Sequence, residues 1–382
     1  MKTKWIALAL CAALLITLAG CGRPRADANT AETAPPKAAE PPQAAPDAQS
    51  TPAPEDAPSP AAAAPEPPRS VPLSFPLLSS AFSAEETDEM INHNARRCAL
   101  MVVNYYYCCR LYSDGGRALV RFEIVDNKLR DRLLLIPDCG AEFLSESGGR
   151  LYCLGADGRP VSVSTDGTDL RVELDTPCVS LQLYGGALYC LAADGTLLRL
   201  SGGGCEALLA HCSSAFVSRC GVFYTAAADG RAHLFDPAAR TDVTLTASAA
   251  DTLSVIGTEL WYAASEPDGR HVCALDLMTG AERRMAEPFS SAADFFRGWD
   301  GVCRLRLTLA GEQRSIACAA VFDTPLSGWE RESGERRLTR ALNAPLRTEE
   351  LFSADGAALG FSLIMPGGSA DLSLAADNPP EK

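Results

Sequence analysis

The stretch Gly149-Arg-Leu-Tyr-Cys-Leu-Gly-Ala-Asp-Gly158 returns as Gly186-Ala-Leu-Tyr-Cys-Leu-Ala-Ala-Asp-Gly195, and again as Gly221-Val-Phe-Tyr-Thr-Ala-Ala-Ala-Asp-Gly230. Looser copies run from Asn104-Tyr-Tyr-Tyr107 to Gly115 and from Gly257 through Trp261-Tyr262 to Gly269. Working outward, seven small-residue-plus-glycine pairs appear: Asp114-Gly115, Asp157-Gly158, Asp194-Gly195, Asp229-Gly230, Asp268-Gly269, Ala310-Gly311 and Asp355-Gly356. They recur about every forty residues, a period that marks a repeat architecture. Asp-Gly between apolar runs signals a β-hairpin, read here as a type I′ turn with φ > 0 at both central residues.

A second set of turns follows each hairpin: Asp126-Asn127, Asp166-Gly167, Gly202-Gly203-Gly204, Asp236-Pro237, Thr279-Gly280 and Gly367-Gly368. With strands such as Leu170–Leu174, Val243–Thr246 and Val179–Leu183, each repeat makes a four-stranded antiparallel meander. Runs such as Leu151-Tyr152-Cys153-Leu154 and Leu188-Tyr189-Cys190-Leu191 are continuously apolar, as strands covered on both faces must be. Sheets that need a neighbour on each face stack radially around an axis, which is a β-propeller. Seven blades are expected over residues 73–376, with six as the alternative because the interval from Asp323 to Ala344 is degenerate. Leu73–Phe82 is expected to supply a strand to the last blade and close the ring. Ser83-Ala84-Glu85-Glu86 matches a capping box and predicts one helix at 84–96, outside the ring or over one mouth.

Lys2 and Lys4 precede an apolar run from Trp5 to Leu18 that is short for a membrane span, as in a secretory signal. It ends in Leu18-Ala19-Gly20-Cys21, which resembles a bacterial lipobox. That resemblance implies a signal peptide over 1–20, cleavage before Cys21 and acylation of its thiol, a membrane anchor outside the cytoplasm. Residues 21–72 then hold 14 of the 26 prolines, with alanine and acidic residues between them, a composition that cannot bury enough surface to order itself. It reads as an extended tether. The tail 377–382 reads as disordered. Forty-eight acidic against 34 basic residues give a net charge of −14, which excludes nucleic acid as a partner class.

Tyr105–Tyr107, Asp114-Gly115 and Leu119–Ile124 resemble uncharacterised bacterial propeller repeats with a Tyr-Tyr strand and an Asp-Gly turn. Cys273-Ala-Leu-Asp276-Leu-Met-Thr-Gly280 resembles, more distantly, the repeat of quinoprotein-like propellers. The regular Trp of that family is missing, since the repeat region holds only Trp261, Trp299 and Trp329. The resemblance spans roughly residues 100–375 and implies the fold rather than an activity.

The chemistry-bearing residues form no recognisable constellation. Thirteen cysteines follow Cys21 without regular spacing and read as buried small hydrophobes. Cys205, Cys212 and Cys220, then Cys98 with Cys108 or Cys109, are the nearest local partners should disulfides form. His93, His211, His233 and His271 lie on different repeats, there is no Cys-x-x-Cys, and Asp166-Gly167-Thr168-Asp169 reads as a turn rather than half a calcium loop. No catalytic residue, cofactor site or metal ligand can be assigned, and no cofactor is expected; lipidation of Cys21 is the one site the sequence names. The reading is a non-enzymatic binding or scaffold module, with a protein or glycan of the cell envelope as partner. The alternative is a carbohydrate-active or quinoprotein-like enzyme, which would need an axial pocket holding two carboxylates or an aromatic slot.

Overall fold

The computed structural model describes residues 65–374 except 112–116, 126–127, 291–292, 298–299, 310–311, 332–335, 342–346, 353–357, 366–367 and 372. The signal peptide, Cys21, nearly all of the tether and the tail 377–382 lie outside the described residues, as do Asp114-Gly115, Ala310-Gly311 and Asp355-Gly356. No described helix is long and apolar enough to cross a membrane.

The repeating four-strand units fall into seven sheets in chain order, covering 99–137, 142–172, 178–209, 212–244, 250–284, 293–331 and 336–371. Each is a consecutive antiparallel meander, and together they form a β-propeller. The phase differs from the sequence reading. Cys178–Tyr184, expected to finish one repeat, is the first strand of the next sheet and pairs with Ala187–Ala192. First strands lie innermost. Glu142–Ser147 packs against Ala99–Val102 and Cys178–Tyr184, and Cys178–Tyr184 packs against Cys212–Ser218. The ring closes where Ala99–Val102 meets Arg336–Ala341 of the last sheet.

Asp157-Gly158, Asp194-Gly195 and Asp229-Gly230 fall between the second and third strands of their sheets, and Asp268-Gly269 leads into the third strand of the fifth, so the described hairpins stand. The turn type does not. Gly158, Gly195 and Gly230 have φ of 77°, 85° and 71°, but the aspartates before them are not in the left-handed region. Instead, Asp157, Asp194 and Asp229 each accept the backbone N–H two residues on, at 2.9–3.0 Å. Such loops carry one left-handed glycine, not two. The two-residue turns with both φ positive are the glycine pairs Gly148-Gly149, Gly185-Gly186 and Gly202-Gly203.

The Asp-Gly loops also join neighbouring sheets. The carbonyls of Gly158, Gly195 and Gly230 each accept, at 2.8 Å, the N–H of Cys178, Cys212 and Ala250, residues that start the next sheet. A Cβ on Gly195 would stand 2.9 Å from the Cys212 carbonyl oxygen, so glycine is needed for close approach as well as for φ.

Leu73–Phe82 contributes no strand to the last sheet, which has four strands of its own. The added strand is Arg69–Ser70, parallel to Thr241–Thr244 on the outer edge of the fourth sheet. From there the chain crosses the fourth and fifth sheets, with Leu77 N–H donating to the Leu277 carbonyl and Phe82 N–H to that of Gly257. Ser373–Leu374 similarly adds to the outer strand of the first sheet. The tyrosines of the repeat are packing residues: Tyr107, Tyr224 and Tyr262 are buried between sheets. Their hydroxyls reach Thr165 O, the Asp242 carboxylate and the Glu282 carboxylate respectively.

Candidate functional site

The helix α1, Ala84–Asn94, starts with the full capping box: Glu86 N–H donates to Ser83 Oγ at 3.1 Å and Ser83 N–H to Glu86 Oε2 at 2.7 Å. It does not sit outside the ring. It lies against the innermost strands of the fourth, fifth and sixth sheets, inside the channel. Packing against these three strands explains why polar Thr87, Asp88 and Asn92 are buried along with Met90 and Ile91. Met90 joins the core between the fourth and fifth sheets, and Ile91 the core between the fifth and sixth. Burying each contributes about 1.5–3 kcal/mol.

Polar contacts fix its rotation. Asp88, 1% exposed, accepts from Arg297 Nε at 2.5 Å, and Arg297 also donates to the Gly301 carbonyl at 2.7 Å. Asn94 Nδ2 donates to the Leu253 carbonyl at 2.6 Å. Beyond the helix, Arg97 reaches the Leu144 carbonyl at 2.7 Å, Ser145 Oγ at 3.0 Å and Glu89 at 3.1 Å. At the opposite end Arg219 lies 4.9 Å over the Phe82 ring, pairs with Glu86 at 2.7 Å and donates to the carbonyls of Ser80 and Ala81.

Above the C-terminal end of α1 a cavity of about 520 Å³ remains. Its wall is built from the beginnings of five innermost strands, at Phe143, Ser180, Ser214, Thr252 and Asp294 among others. This is the face that carries the Asp-Gly hairpins. His93 lines it, its ring 5.1 Å from Phe143 and 5.5 Å from Phe216. Burial lowers its pKa to about 4, against a raising hydrogen bond to the Ala215 backbone and with Arg97 adding to the lowering. The imidazole is therefore neutral at pH 7. Among the described lining residues the one carboxylate is Asp294, held by Arg306 at 2.5 and 3.1 Å. The wall offers hydroxyls, an amide, the Arg96 guanidinium, the Asp294 carboxylate, a neutral imidazole and aromatic edges.

The other histidines are scattered, as the sequence implied. His211 is an exposed loop residue at φ 61°. His233 Nδ1 pairs with Asp242 at 2.9 Å inside the fourth sheet. His271 Nδ1 meets the Met285 carbonyl at 2.9 Å and its Nε2 meets Asp268 at 3.2 Å. With Glu266, these last two place one donor atom each within 4.8 Å of one another. Sequence reading missed this group because its members are hairpin neighbours rather than a spaced motif. Arg284 contacts both carboxylates, at 2.7 and 3.4 Å, and occupies the role a cation would take. Asp166 is a turn residue whose carboxylate accepts from Thr168 N–H and Oγ1.

Cys139, Cys153, Cys178, Cys190, Cys205, Cys212, Cys220, Cys273 and Cys318 carry thiols outside any disulfide. Burial raises Cys212 and Cys273 to about 12. Cys153 and Cys190 do not meet each other; Cys153 has its thiol partner in Cys139, on the loop leading into its sheet, and Cys190 has Cys178 in its own sheet.

No family model matches the chain, and no curated protein does. Among solved structures it is similar to BamB from Moraxella catarrhalis, at 12% identity over 71% of this chain and 88% of that one, TM-score 0.42. It is likewise similar to the computationally designed Ika8 protein, at 15% identity over 74% and 90%, TM-score 0.45. A chain of the nidogen/laminin complex shares 16% identity over 49% of this chain and 78% of its own, TM-score 0.35.

Proposed function

We propose that this chain is a lipid-anchored propeller outside the cytoplasm that binds another macromolecule of the cell envelope, protein or glycan, through the face bearing the Asp-Gly hairpins. It does so without doing chemistry on that partner. The observation that carries the reading is α1: a helix occupying the channel bounds the cavity of about 520 Å³ at one mouth, where an enzyme would place a deep axial site. The cavity wall supports the same reading, because its single described carboxylate is tied to Arg306. The anchor rests on the match of Leu18-Ala19-Gly20-Cys21 to a lipobox, and Pro-rich residues 21–72 would hold the ring away from the membrane.

Photo-crosslinking tests the face. A photoreactive residue at Ser213 or Thr252, on the hairpin side, should trap a discrete partner in intact cells, whereas one at Arg283 on an outer strand should not. Equal trapping from both positions, or glycan hydrolysis that disappears with Asp294→Asn, would overturn the assignment. Separately, Cys21→Ser should abolish fatty-acid labelling and release the protein from the membrane fraction.

A further inference from the structure

We propose that Cys139 and Cys153 form a redox-active dithiol that exchanges with low-molecular-weight disulfides. Their sulfurs are 3.7 Å apart, whereas a disulfide bond is about 2.05 Å long, so closure needs only a small side-chain adjustment. Ala141 N–H donates to Cys139 Sγ at 3.3 Å. The hydrogen bond from the Cys153 thiol, with that N–H behind it, holds the Cys139 thiol below the usual cysteine range, although burial and Asp157 act the other way. Cys153 is pushed well above that range by the same hydrogen bond and by burial. The pair thus divides the work of thiol exchange: one sulfur to attack, one to resolve.

Cys139 lines a second cavity, about 530 Å³, between the first, second and third sheets. That volume is in the range of small-molecule sites. The bordering charges, Arg96 and Arg117 against Asp138 and Glu142, balance. The loop holding Cys139 carries unusual backbone: Asp138, Ala141 and Phe143 have φ of 48°, 45° and 57°. Non-glycine residues in the left-handed region persist only where their surroundings enforce it, and they gather at functional positions. Cys139 is 1% exposed, so movement of this loop gates access to its sulfur.

The exchange balances as follows. The Cys139 thiolate attacks one sulfur of RSSR, the S–S bond breaks, and RS⁻ leaves and takes up the proton that Cys139 had released. Cys153 then loses its proton and attacks Cys139 Sγ. The protein disulfide forms, and the second RS⁻ leaves and takes the Cys153 proton. Two protein thiols are oxidised, and one RSSR is reduced to two RSH.

The full chain, equilibrated without oxygen in mixtures of reduced and oxidised glutathione and then acid-quenched and alkylated, tests this by peptide mass mapping. A Cys139–Cys153 cross-linked peptide should accumulate, and in short labelling pulses Cys139 should react at least about tenfold faster than Cys190. Cys153→Ser should trap a glutathione mixed disulfide on Cys139, and Cys139→Ser should abolish both products. Reaction of Cys139 no faster than Cys190, or a link between other cysteines in its place, would overturn the proposal. The wild-type mapping decides alone if either substitution unfolds the sheet.

Discussion

At neutral pH the His93 ring is uncharged because protonation would place a charge between Phe143 and Phe216 with Arg97 close by. Its folded pKa of about 4 lies below the unfolded value of 6.5, so the unfolded chain takes up the proton first as pH falls. The stabilisation is fully present above pH 6.5 and is lost on the way down to about 4, with a ceiling on the order of 3 kcal/mol. Urea unfolding of wild type and His93→Phe at pH 7 and pH 4.5 should show a smaller pH difference in the variant. An unchanged difference would locate the acid sensitivity elsewhere. Glycines give a second residue-scale contrast. Gly221 has φ 126°, and a Cβ there would stand 2.4 Å from the Phe235 carbonyl oxygen; Gly149, at φ 77°, would meet nothing within 4 Å. Gly149→Ala should cost about 1–2 kcal/mol from backbone conformation alone, and Gly221→Ala clearly more, as differential scanning calorimetry would read. Both glycines were visible in the sequence as the opening of the repeat, but their unequal demands were not. The difference depends on which neighbouring backbone comes close, and that is set by the pairing of sheet four.

At the scale of the element, α1 was legible in its start and illegible in its place. Ser83 and Glu86 announce a capping box wherever the helix goes, because the box uses only local backbone. Its place was expected outside the ring or over one mouth. Inside a channel, however, a helix can bury polar residues wherever strands supply partners. Arg297, 209 residues from Asp88, is such a partner, and no spacing rule reaches it. Ser83→Ala should lower stability by about 1 kcal/mol. Arg297→Met should cost about 3–5 kcal/mol by leaving the Asp88 carboxylate buried without its cation, and Asp88→Asn in the same chain should recover part of that. Thermal melts of the single and double variants check it; additive losses would mean the two residues act separately. The hairpins teach a similar lesson. Asp-Gly identified the described connections between second and third strands, but Asp157, Asp194 and Asp229 cap the loop with their side chains instead of adopting left-handed backbone. A dipeptide cannot report whether two or four residues bridge the strands.

For the whole molecule, the period of the Asp-Gly pairs was enough to specify radially stacked sheets, since runs such as Leu188–Leu191 need cover on both faces. Ring closure was misread. The segment 73–82 looked like a spare strand, yet the last sheet completes itself, and the segment serves to carry the chain from the rim to α1. Arg69–Ser70 holds that path at its start, with Arg69 N–H donating to Arg240 O and Val71 N–H to Asp242 O, both at 2.9 Å. Brief native trypsin digestion should therefore cut after Arg25 and Lys37 well before Arg69, as timed mass spectrometry would show. Simultaneous cutting at Arg69 would mean the rim strand opens freely.

That rim strand has a mechanical meaning. Tension on the upstream chain arrives first at two short parallel bonds on the edge of sheet four, and only after they yield does it reach 73–82 and then the helix in the channel. The edge works as a strain relief, so a pull on the chain before Arg69 leaves the stopper seated until the clip lets go.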